Sequence, residues 1–115
     1  MVPLTQKHCV PCRGSTPPLT RAAITPLHAQ VPKWEVVDDR RLLRALAFRD
    51  FKTALAFVDR VGALAEEEGH HPDLHLSYGE VRVELWTHAI GGLSESDFIL
   101  AAKIDLLADA APGRE

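Results

Sequence analysis

An α+β domain, with an antiparallel sheet and helices packed on one of its faces, is the fold class that three features of the sequence predict. Two short apolar runs, "WEVVD" and "RLLRALAFR", flank Asp38, Asp39 and Arg40, and a second pair, "LHLSY" and "VRVELWTH", flanks Gly79. Between the pairs lies "FKTALAFVDRVGALAEEEG", whose apolar residues recur at three- and four-residue spacing. Two hairpins separated by a long helix make four strands and favour antiparallel pairing, with helices left to cover one face. A helix before the first hairpin and another after the second complete the order α-β-β-α-β-β-α.

Residues 1–18 contain Pro3, Pro11 and the pair Pro17 and Pro18, and read as an irregular or extended arm. The folded domain is expected over 19–111, with 112–115 as a short tail. Thr20 is a suitable N-cap for a first helix running to about Gln30, although Ala23 forgoes the capping-box carboxylate and Pro26 interrupts the first turns. Asp50 caps the long helix, which places Phe51, Ala54, Leu55, Val58, Val61 and Ala65 on a core-facing stripe and ends at Gly69. In the last strand Val81, Val83, Leu85 and Thr87 alternate toward the core, and Arg82, Glu84, Trp86 and His88 toward the open face. Gly91 and Gly92 break that strand, and Ser94 starts a final helix to about Ala110. An open face carrying Trp86 among charges leaves surface for self-association.

With 115 residues, 46% of them apolar, the chain can build one core. Thirteen basic against sixteen acidic residues leave a net charge of −3, without the basic face that a phosphate backbone requires, so no nucleic acid partner is expected. No apolar run is long enough to span a bilayer and the first residues lack a signal-peptide pattern, so a cytoplasmic protein without membrane attachment is expected. Cys9 and Cys12, with His8 beside them, invite a zinc or redox reading. A redox pair needs a strand before it and a helix after it, and a four-ligand zinc site needs a second pair. A solvated tail feature is the simpler expectation.

The chemistry concentrates in "EEEGHHPDLHLSY", residues 66–78. Pro72 holds His71 extended, so His70 and His71 project in opposite directions, one into a pocket and the other at its rim. His88, at the end of the strand paired with the one after Pro72, can join them. Histidines near neutral pH can both donate and accept protons, which suits general acid/base work. A structural alternative stands beside each residue: a histidine can complement a helix dipole, Glu66, Glu67 and Glu68 can be a solvated face, Asp97 can be the capping-box acid of Ser94, and Tyr78 and Trp86 can be ordinary sheet residues. Spacing leaves the two readings open. A zinc site from Glu66, His70, His71, His75 and His88 is disfavoured, because no i, i+4 ligand pair lies on a regular helix.

Taken together, Glu66, His70, His71, Pro72, Tyr78, His88 and Asp97, with the segment "LWTHAIGGLSESDFILAAKID", resemble the signature of the pterin-4a-carbinolamine dehydratases over roughly residues 19–110. The resemblance implies a four-stranded antiparallel sheet with helices on one face, assembled into homodimers or homotetramers, acting without metal or redox cofactor. It implies removal of water from the 4a-hydroxytetrahydropterin released by aromatic amino acid hydroxylases, giving a quinonoid dihydropterin that a reductase returns to the tetrahydro form. His70, His71 and His88 would be the catalytic histidines, with Glu66, Pro72, Tyr78 and Asp97 binding or orienting substrate. Leu74 departs from the aromatic residue of many members. A second reading is a non-catalytic interaction protein, since mammalian members also serve as dimerisation partners of a transcription regulator; the three histidines argue against a pure adaptor. The arm lies outside the resemblance and is expected to be dispensable.

Overall fold

The computed structural model describes residues 2–11 and 14–114. Its elements are α1 (Arg21–His28), β1 (Glu35–Val37), β2 (Arg41–Ala47), α2 (Phe51–Glu68), β3 (Asp73–Ser77), β4 (Glu80–Leu85) and α3 (Glu95–Ala110), the order expected for this α+β class. All pairings are antiparallel, and the spatial order β1-β2-β4-β3 sets the two hairpins side by side. The first hairpin closes where the Arg40 N–H donates to Val37 O at 2.9 Å. Asp38 and Asp39 stand there at φ 53° and 55°, a left-handed turn that aspartate tolerates better than most residues.

Alternation puts Leu42, Arg44 and Leu46 opposite Leu85, Val83 and Val81 on the helix-covered face, all buried. α3 is buried on nearly every side from Ser96 to Ala102, because α1, α2 and the N-terminal arm all pack against it. The one charge on the core face of β2, Arg44, is paired with Asp105 of α3, whose Oδ1 also accepts from Trp34 Nε1 at 2.8 Å. Among the described residues no helix is long and apolar enough to cross a membrane.

Several expectations are corrected. The buried stripe of α2 is Ala54, Phe57, Val61, Ala65 and Glu68, whereas Phe51 and Leu55 are exposed. Phe51 is the first residue after the Asp50 cap, and the stripe it shares with Leu55 is rotated away from the sheet. α1 ends at His28, after which the chain tightens into i→i−3 turns, the Gln30 N–H donating to Leu27 O and the Val31 N–H to His28 O, both at 3.0 Å. β4 ends at Leu85: the Thr87 N–H donates to Gly92 O at 2.8 Å, and His88 sits instead on a 3-10 turn, His88–Ile90, closed by Gly91 at φ 64°.

Cys9 is not the solvated feature expected, because part of the arm docks on the domain while most of its described residues stay exposed. Leu4, on a short 3-10 turn, is buried against α3, and Lys7 pairs with Glu95 at 3.1 Å. The Cys9 thiol, partly buried and donating to Ser96 O, is pushed up to about 12 by burial and then by the Glu68 charge. A thiol held protonated is a poor nucleophile and metal ligand. Cys12 lies outside the described residues.

Candidate functional site

An open cleft of about 330 Å³ lies between the end of α2 and the turn after β4, lined by Pro11, Gly69, His70, His71, Trp86, Thr87 and His88. Its first wall exists because α2 stops at Gly69, whose φ of 66° is left-handed and whose N–H, like that of His70, returns to Ala65 O. The chain therefore reverses at the helix end and directs His70 toward α3. There His70 Nε2–H donates to Asp97 Oδ1 at 2.6 Å. Asp97 is wholly inaccessible, and its Oδ2 accepts from the Ser94 N–H at 2.9 Å and from Thr87 Oγ1 at 2.8 Å. Because the single Thr87 hydroxyl proton is spent on Asp97, the 2.8 Å contact between Thr87 and Ser94 has Ser94 Oγ–H as its donor.

Three donors thus meet one buried carboxylate, which both caps α3 and fixes the imidazole that faces the cleft. With Nε2 committed, the neutral His70 ring has its lone pair on Nδ1. His71 turns the other way: it is largely exposed, and its Nε2–H donates to the exposed Glu66 at 2.5 Å. His88 stacks on Trp86 with ring centroids 4.0 Å apart and planes 25° apart. Trp86 is itself held by a 3.3 Å bond from its Nε1 to Asp73 Oδ2, and the Arg41 guanidinium lies 5.8 Å from its ring centre.

The structure brings His70, His71 and His88 to one cleft, with Asp97 directly behind His70 and Glu66 at the rim behind His71. Pro72 shapes the turn without lining the cleft. Tyr78 does not join them: it is 70% exposed on the β3–β4 turn, at the strand ends opposite those that carry Asp73 and Leu85. Among the described residues no cluster of three or more His, Cys, Asp or Glu could hold a metal ion. Sequence reasoning missed Thr87 as a partner of Asp97, having assigned it to the core. A threonine on the buried face of an otherwise aliphatic strand was the available signal. It also missed Pro11, because nothing in the arm's composition indicates where it docks.

Residues 17–107 match the family model described as pterin 4 alpha carbinolamine dehydratase. Among curated proteins, one from Rubrobacter xylanophilus is 50% identical over 107 residues, covering 93% of this chain and all of its own. Another, from Methylococcus capsulatus, is 50% identical over 109 residues, covering 94% of this chain and 96% of its own. Both carry the provisional name pterin-4-alpha-carbinolamine dehydratase. Two solved structures are similar. A transcriptional coactivator/pterin dehydratase from Brucella melitensis has a TM-score of 0.74 at 33% identity, over 79% of this chain and 98% of that one. A pterin dehydratase-like protein identified as a RuBisCO assembly factor in the alpha-carboxysome has a TM-score of 0.57 at 29% identity, over 66% of this chain and 89% of that one.

Proposed function

The chain belongs to the pterin 4 alpha carbinolamine dehydratase family of hydro-lyases, and from that premise we propose that it dehydrates 4a-hydroxytetrahydropterin by histidine general acid/base catalysis, within the recycling of a tetrahydropterin cofactor. The observation that carries the histidine mechanism is the 2.6 Å bond from His70 to the buried Asp97. A carboxylate behind the ring complements the imidazolium formed when Nδ1 takes a proton, so His70 is assigned as the base that removes the ring-nitrogen proton. His88, whose protonated ring is favourably placed against the Trp86 indole face, is assigned as the acid. The step balances: the N–H pair becomes the new C=N bond, the bond from the 4a carbon to oxygen breaks, and the hydroxyl leaves as water with the proton from His88.

His71 and Glu66, at the rim, hold the substrate's outer edge, and Pro72 fixes the turn that separates His71 from His70. Tyr78 reaches substrate only across a contact between copies, which fits a homodimer or homotetramer; the exposed Phe51, Leu55 and Leu106 supply apolar surface for one. Residues 19–111 carry the catalytic histidines, acting in the cytoplasm on the product of a hydroxylase. A second reading, a protein-binding role, draws on the same exposed residues and on the coactivator and assembly-factor descriptions of the two solved relatives. The test is decay of the carbinolamine absorbance with and without protein. No acceleration over the buffer rate would refute the dehydratase reading and favour the second.

A further inference from the structure

Glu68 is a buried carboxylate that the proposed mechanism does not use. Its Oε1 accepts from the Cys9 N–H at 2.9 Å, and its Oε2 from Lys103 Nζ at 2.7 Å and His8 Nδ1 at 3.2 Å. One residue further along the arm, Ser96 Oγ accepts from the Val10 N–H at 2.9 Å and donates to Val10 O at 3.1 Å. Both backbone polar groups of the residue before Pro11 are therefore tied to α3. Proline fixes its own φ and restrains the residue before it, so the tie sets the position of the Pro11 ring. That ring lines the cleft together with His70, Trp86 and His88. A rigid apolar ring without an N–H offers packing surface to a flat heterocycle and competes for none of its hydrogen bonds.

We infer that Pro11 is a substrate-contacting, specificity-determining residue of this cleft, and that Glu68 and Ser96 are positioning residues that latch it there. The inference rests on the dehydratase reading for its substrate class and reverses the expectation that the arm is dispensable. Burying a carboxylate and an ammonium together is costly unless both are satisfied, and here the satisfied cluster has the arm as one of its partners. The arm is thus held by the same helix end that supplies His70.

The test uses the full chain as wild type, Pro11→Ala, Ser96→Ala and Glu68→Gln. KM and kcat are measured on two 4a-hydroxytetrahydropterins, one with a methyl and one with a longer polar substituent, together with hydrogen exchange at the Cys9 and Val10 amides. Pro11→Ala should raise KM about threefold or more with kcat within about twofold, unequally for the two substrates, the pattern of lost uniform binding. Ser96→Ala and Glu68→Gln should speed exchange at these amides and raise KM likewise. Wild-type KM in Pro11→Ala, or in a Ser96→Ala variant whose arm exchanges freely, would overturn the inference. Binding of an unreactive dihydropterin, followed by tryptophan fluorescence, separates the two ideas. Wild-type protein that binds but does not turn over refutes the dehydratase reading, whereas a Kd unchanged by Pro11→Ala refutes the role of the arm.

Discussion

Replacing Asp97 by asparagine isolates what the carboxylate does for His70, because the side chain keeps its size. At the Oδ2 position both neighbours, the Ser94 N–H and the Thr87 hydroxyl, are donors, so the amide oxygen must stay there. The amide NH2 is then turned toward His70 Nε2, a nitrogen that now donates at 2.6 Å. Two donors cannot bond each other, so the imidazole proton moves to Nδ1, which changes from acceptor to donor. A base in the wrong tautomer forfeits its general-base contribution, about 10²- to 10⁴-fold in kcat, or roughly 3–5 kcal/mol of barrier. Loss of one charge-assisted bond costs about 1.5–3 kcal/mol of stability, or roughly 5–15 °C in Tm for a domain of this size. The measurements are stopped-flow dehydration kinetics, thermal melts and nitrogen NMR of the His70 ring. A kcat within about threefold of wild type in a protein whose His70 tautomer has switched would refute the reasoning, since the base would be shown not to depend on Asp97.

Three further outcomes are expected. His70→Ala and His88→Ala should each lower kcat about a hundredfold or more, His88→Ala with little change in Tm and His70→Ala with the added destabilisation of losing its bond to the buried Asp97, and the double variant should lose little more kcat, because groups acting as one unit are not additive; His71→Ala should act mainly on KM, and all four are compared by steady-state kinetics beside melts. Activity should survive exhaustive chelation, since the proton transfers assigned to His70 and His88 need no metal; loss on chelation with recovery on adding zinc would contradict this. Burial pushes the Glu68 carboxyl up, but the bonds from Lys103, the Cys9 N–H and His8 outweigh it and hold it down from 4.5 to about 2. A depressed carboxyl contributes stability that is fully present above pH 4.5 and lost as pH falls toward 2, on the order of 3 kcal/mol here. Denaturant titrations of wild type and Glu68→Gln should therefore converge as pH drops through that window, and a constant gap between them would refute the assignment.

What could be read from the sequence follows the strength of local signals. Asp50 and Gly69 mark both ends of α2, and Ser94 with Asp97 marks the start of α3, because caps answer to groups within one turn. The alternation of Val81, Val83 and Leu85 likewise reveals the buried face of β4. The facing of α2 was less legible: Phe51 and Leu55 satisfy the same spacing as Ala54 and Phe57, and only the tertiary packing decides which stripe meets the sheet. His70 and His88 could be singled out by residue type, but the path of the chain after Leu85 depends on the bond from Thr87 to Gly92, which no pattern announces. The docking of the arm was invisible for a related reason. Its anchors are Glu68, which looks like one of three solvated glutamates, and Ser96, which looks like an ordinary first-turn serine.

The strand order β1-β2-β4-β3 also governs when the cleft can exist. Each hairpin closes over a short loop, but the central pairing of Leu42 with Leu85 must wait for the whole of α2 and β3 to be gathered in, an entropic cost that slows assembly. The β3–β4 hairpin sets Asp73 opposite Glu84 early and so brings the histidine turn close to Trp86, whereas the bond from His70 to Asp97 requires α3 to have docked. In a refolding chain no competent base can form before α3 has docked. Recovery of turnover during refolding becomes a clock for that packing event, and should not run ahead of the far-ultraviolet dichroism signal.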